Sequence, residues 1–148
     1  MRRRATAWVL LLLCCAAWRP TAGGGDRVVL IMGAGDPAVT LDAIDIKRLF
    51  LGIPVQRGAV SLHALINESD PGLKQVFLQY VVSMSESGYQ RRLLMLGLEQ
   101  GRRLPRAYPD NERLLAAVAA DDSAVSYAWE SSLRGHPGVR VLRELWHE

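Results

Sequence analysis

Apolar residues run without a break from Val28 to Ile31, and after a glycine turn they begin to recur at helical spacing. The unbroken run, within residues 27–32, predicts a short strand buried on both faces. The segment from Leu41 to Gly52 (LDAIDIKRLFLG) reads as a complete helix. Asp42 is its N-cap, Asp45 sits at the third helical position, and Leu41 and Ile46 form a hydrophobic staple around the cap. Ala43, Ile46, Leu49 and Phe50 share one face, and Gly52 supplies a left-handed stop. Pro54 and Arg57-Gly58 mark a loop and turn. Val60, Leu62 and Ala64 then alternate with Ser61 and His63, the pattern of a strand with two unlike faces.

Asn67-Glu68-Ser69-Asp70-Pro71 is a helix-start signal, with Ser69 or Asp70 as cap and Pro71 in the first turn. Leu73, Val76, Phe77, Tyr80 and Val81 follow at i, i+3, i+4, i+7, i+8 spacing and predict a core-facing stripe. Ser85 can cap a helix from Glu86 to about Leu96, with Tyr89, Leu93 and Leu96 inward. Gln100 to Pro109, rich in Arg and Pro, reads as a loop. Asp110 or Asn111 starts another helix that buries Leu114, Leu115 and Val118. Ala124 to Ala128 and Val139 to Leu142 are short strands separated by a Gly/Pro turn. Strands alternate with helices, which predicts an α/β fold with a small, partly parallel sheet.

The N-terminus changes how the composition is read. Arg2, Arg3 and Arg4 precede an apolar run from Ala5 to Ala17 that is short for a membrane span, and small residues follow. This predicts a signal peptide over residues 1–22, cleaved after Ala22 or after Ala17, and a domain over 23–148 in the periplasm. The membrane is involved only if that segment stays uncleaved. The formal charge of +3 includes Arg2, Arg3, Arg4 and Arg19; without them 14 basic residues face 15 acidic ones. The balance gives no argument for nucleic acid. Both cysteines, Cys14 and Cys15, leave with the signal, so the mature domain has neither a disulfide nor thiolate chemistry.

Candidate chemistry is sparse. Gly33-Ala34-Gly35-Asp36-Pro37-Ala38 follows a strand as a dinucleotide loop would, but Asp36 would set a negative charge beside the phosphates, so it reads as a tight turn. His63, His136 and His147 lie in unrelated contexts and form no metal set. No Ser/His/Asp order carries a nucleophile-elbow signature. No cofactor is implied and nothing nominates an enzyme. Arg91, Arg92, Arg102, Arg103 and Arg106 form a basic cluster, read as solvated surface with an anion site as the alternative.

LDAIDIKRLFLG, PGLKQVFLQYVVSMS and ERLLAAVAADDSAVSYAW, in that order and spacing, resemble small exported single-domain proteins similar to the substrate-binding subunit of phosphate ABC transporters. The resemblance spans about Val28 to Leu142. It implies a single lobe of a type II periplasmic binding protein, a small mixed sheet flanked by helices. In that family an Arg leads to a Ser-Gly-Thr turn whose donors grip phosphate. With Phe77 as anchor, those positions are Asn67, Pro71, Gly72 and Leu73, and only Gly72 is kept. Asn67 brings no charge, and Pro71 has neither N–H nor hydroxyl.

Two readings follow from the resemblance. One is an exported solute-binding-like domain that takes a small anion. Its residues would be Asn67, Ser69 and Gly72, at a helix N-terminus with free amides, or Arg102 and Arg103 in the following loop with Arg106. The other is a non-transporting accessory module with an envelope protein as partner.

Overall fold

The computed structural model describes residues 26–35, 39–100 and 104–148. The expected signal segment 1–22, Asp36, Arg102 and Arg103 lie outside the described residues. Among the described residues, no helix is long and apolar enough to cross a membrane.

The strands β1 (Arg27–Gly33), β2 (Val55–Arg57), β3 (Val60–Asn67), β4 (Arg106–Tyr108), β5 (Ala124–Trp129) and β6 (Val139–His147) form one mixed sheet. Its order is β2-β3-β5-β1-β6, with β4 also paired to β3. β3 runs parallel to β4 and β5, while the other pairings are antiparallel. Helices α1 (Ala43–Phe50), α2 (Pro71–Phe77), α3 (Glu86–Gln100) and α4 (Asn111–Ala120) flank it. The architecture is the mixed α/β sheet that the element pattern predicts.

β1 shows why its sequence is apolar throughout. Val28, Leu30 and Met32 enter a core shared with residues of α1, α2 and α3, while Val29 and Ile31 enter a second core with Leu114, Leu115 and Val118 of α4. Each such side chain contributes about 1.5–3 kcal/mol on burial, so an alternating strand would forfeit one of the two cores.

α1 has the caps its sequence specifies. Asp42 accepts a hydrogen bond from the Asp45 amide at 2.8 Å. Gly52 takes φ +76°, and the Gly52 and Ile53 amides donate back to Leu49 and Arg48 at 2.9 Å each, closing a Schellman turn. Burial begins only at Ile46, and Ala43 in the first turn is exposed, contrary to its expected place on the buried face.

The stripe after α2 also departs from expectation. Residues Leu78–Val82 form a π-helical turn that ends at Ser83 in the left-handed region (φ 59°). The wider turn rotates the helix surface, so Leu78 and Val82 are buried and Tyr80 is 57% exposed. Leu73 and Phe77, ahead of the turn, are buried as predicted, and Val76 and Val81 are half-buried.

α3 is capped by Ser85, which accepts from the Gly88 amide at 3.2 Å, and buries Tyr89, Leu93 and Leu96. It continues to Gln100, beyond the expected end near Leu96. The Arg/Pro segment expected to be a loop contains β4, which exists because the end of β3 offers it a parallel partner (Leu65 opposite Arg106, Asn67 opposite Tyr108). β6 continues five residues past its expected end at Leu142, to His147. It is an edge strand with two register shifts against β1, and it carries Arg140, Arg143 and Glu144. Bulges and charges of this kind discourage strand addition from another chain.

Candidate functional site

The parallel strands β3, β4 and β5 deliver Asn67, Tyr108 and Trp129 to the same end of the sheet. Helices α2 and α4 begin just beyond β3 and β4. Open α/β sheets bind ligands at this end, where helix N-termini present free amides.

Asn67 is fully buried and its side chain is fully engaged. Its amide nitrogen donates to the Tyr127 carbonyl at 3.1 Å and to Asn111 Oδ1 at 3.2 Å. Its Oδ1 accepts from the Ser69 amide at 3.0 Å and the Ser69 hydroxyl at 2.6 Å. An asparagine side chain has two N–H donors and two acceptor lone pairs, so no capacity remains. Its backbone carbonyl in turn accepts the Tyr127 hydroxyl at 2.8 Å. Asn67 is the knot that ties β3, β5 and α4 together.

The amides expected to be free at the start of α2 are engaged as well. Asp70 is the N-cap, and its Oδ1 accepts from the Gly72 amide at 2.7 Å and the Leu73 amide at 3.2 Å. Its Oδ2 accepts the Trp129 indole N–H at 2.9 Å. The indole bond, opposed by burial and assisted by the two amides, holds the Asp70 carboxyl below the usual carboxylate range. At neutral pH a negative charge therefore rests on the helix dipole where an external anion would have to sit. Pro71 adds no amide of its own. Asp110 is the N-cap of α4, where its side chain accepts from the Arg113 amide at 2.8 Å.

No described member of the basic cluster bonds to Asn67, Ser69, Asp70 or Gly72. Arg91 and Arg92 are exposed on α3. Arg106 opens β4, with its guanidinium 4.9 Å above the Tyr108 ring. The three histidines pair with three separate carboxylates: His63 with Asp121, His136 with Glu112 and His147 with Glu144.

The sequence pattern offered Ser69 or Asp70 as the cap, and the cap is Asp70; it gave no sign of Asn111 and Tyr127 as partners of Asn67, or of Trp129 as partner of Asp70. Their link to the Asn67–Asp70 turn runs across 44 to 60 residues. A local signal was present only in the polar run Asn67 to Asp70.

Comparison with family models and with curated proteins gives no match. Solved structures do match. PstS from Borrelia burgdorferi superposes with a TM-score of 0.59 at 10% identity, over 80% of this chain and 47% of that one. An ABC-type phosphate transport receptor from Vibrio cholerae gives 0.56 at 12%, over 81% and 46%. The chain has the fold of phosphate-transporter binding proteins. It spans a little under half the length of each of these structures. The order of short motifs in the sequence and the course of the backbone agree on this resemblance, and at such identity the agreement concerns the fold.

Proposed function

We propose that the chain is an exported, solute-binding-protein-like module that works in the cell envelope through a protein partner and does not grip phosphate at its strand ends. One observation carries the reading: the Asp70 carboxylate already occupies the amides of Gly72 and Leu73. An ionised internal carboxylate satisfies those donors and repels a second anion. With Asn67 saturated and no Arg in its place, the strand ends serve the fold. Asn67, Ser69 and Gly72 then act as a latch in place of a ligand site.

Isothermal titration with phosphate, sulfate and small carboxylates tests this. Flat traces at millimolar ligand are expected from the parent chain, and saturable micromolar binding of phosphate would overturn the reading. Asp70→Ala, which removes the carboxylate and leaves the Gly72 and Leu73 amides open, should gain weak anion binding. Export is tested by N-terminal sequencing of the secreted protein, with Gly23 or Trp18 expected first. In-cell cross-linking from an exposed α3 position, with the product identified by mass spectrometry, tests for an envelope partner.

A further inference from the structure

Alongside the middle of β3 the surface opens into a cleft of about 810 Å³, within the usual range for small-molecule sites. Its origin lies in the strand pairing. β2 pairs with Val60 to Leu62 and β4 pairs with Leu65 to Asn67, and the cleft is lined by His63 and Ala64 between them. Leu49, Pro54, Leu65 and Leu104 give it apolar walls.

Two opposite charges also line it. Asp121 closes the C-terminal end of α4. Its Oδ1 accepts the Ser123 hydroxyl at 2.6 Å and amide at 2.9 Å, while Oδ2 lies 3.6 Å from His63 Nε2. The Ser123 hydroxyl bond, against opposing burial, keeps this carboxyl below its ordinary range. The other charge is Arg106, whose guanidinium carbon lies 4.9 Å from the Tyr108 ring centroid and which has no carboxylate partner among the described residues. The C-terminal ends of α1 and α4 also reach the cleft, at Gly52 and Asp121. Helix C-termini carry partial negative charge and favour a cation.

We propose that this cleft binds a small apolar zwitterion, a free apolar α-amino acid or its dipeptide. The ammonium group goes to Asp121 under the two helix ends, the carboxylate to the Arg106 guanidinium, and the apolar side chain to the Leu49, Pro54, Leu65 and Leu104 walls. A guanidinium that sits over an aromatic ring still has N–H donors to offer a carboxylate. A phosphate dianion is a poor fit, because Asp121 and both helix ends repel it and Leu49, Pro54, Leu65 and Leu104 offer it no donors. The proposal stands apart from the state of the α2 N-terminus.

The test is titration of the full chain with L-leucine, L-phenylalanine and leucyl-leucine, with 4-methylpentanoate and 3-methylbutylamine as half-ligands. Saturable binding of a zwitterion is expected, with each half-ligand weaker by about tenfold or more, the factor expected from losing roughly 1.4 kcal/mol of charge contact. The relative strength of leucine and leucyl-leucine identifies the preferred length. Asp121→Asn and Arg106→Gln should each weaken binding by about tenfold while circular dichroism shows the chain still folded. Ala117→Leu, on the α4 wall of the cleft, should abolish binding while circular dichroism stays the same. Absence of heat from every zwitterion at about 10 mM, a concentration that would reveal even millimolar affinity, overturns the proposal. Equal binding by parent, Asp121→Asn and Arg106→Gln overturns it too. Phosphate binding by the parent chain would instead overturn the reading of the strand ends and leave this one standing.

Discussion

Phe77 and Tyr127 stack face to face, with ring centroids 3.7 Å apart and planes within 1° of parallel. Phe50 sets its ring at a steep angle to both, at 4.6 Å and 5.5 Å. One ring from α1, one from α2 and one from β5 thus fasten two helices to the sheet. Phe77→Ala should cost about 3–5 kcal/mol, the range for removing a buried aromatic side chain. Urea denaturation would check this, with a fall in midpoint at unchanged slope.

Tyr127→Phe keeps the stack but removes the hydroxyl that donates to the Asn67 carbonyl. A buried carbonyl left without its donor should lower stability by about 1–2 kcal/mol. Tyr89→Phe, which deprives the Phe50 carbonyl of its 2.6 Å partner, should cost a similar amount. Burial pushes both phenols well above the ordinary tyrosine range. Tyrosinate absorbance from these two residues should therefore appear only on alkaline unfolding, which an ultraviolet pH titration can follow.

Asn67→Ala breaks the knot at the strand ends. It leaves Ser69, Asn111 and the Tyr127 carbonyl short of partners, and a loss of about 2–4 kcal/mol is expected. Asn67→Arg, which installs the residue type found in the resembling family, should be worse still, because it brings a larger, charged side chain into a fully buried site whose present contacts are all uncharged. A thermal melt ranks the two variants. If Asn67→Arg melts with the parent, this account of the strand ends is contradicted.

Asp70 makes stability depend on acid. Its carboxyl is held below the ordinary range chiefly by the Trp129 indole, with burial opposing. A carboxylate depressed on folding stabilises the native state above its unfolded pKa of about 3.9 and loses that contribution as pH falls through the lower folded value. The difference in stability between the parent and Asp70→Asn should thus be largest near neutrality and shrink below about pH 4. At pH 7 Asp70→Ala should cost about 0.5–2 kcal/mol, as for other N-caps. Denaturation followed by tryptophan fluorescence between pH 2 and 7 tests both statements.

What could be read from the sequence depended on how local the cause was. Asp42, Gly52 and Ser85 mark their helix ends through contacts within a few residues, each where its local pattern put it, and Asp70 is one of the two caps its pattern offered. The π-helical turn was hidden because Leu73, Val76, Phe77, Tyr80 and Val81 fit a regular helix; only packing decides that Leu78 and Val82 go inward instead. β4 was hidden because Arg106-Ala107-Tyr108 has no strand pattern of its own and owes its form to β3. At the strand ends, the residue types argued against phosphate. The reason the site is closed, a carboxylate seated on the helix and a distant indole, needed the coordinates.

β1 lies between β5 and β6, and Arg27 pairs with His147. During synthesis β1 therefore has neither sheet neighbour until β5 and β6 have followed it out of the ribosome. Loop closure over more than a hundred residues is slow, and local helices cannot substitute for it. Folding of this sheet is held back until both late strands have emerged, so the growing chain remains threadable through a narrow channel for most of that time.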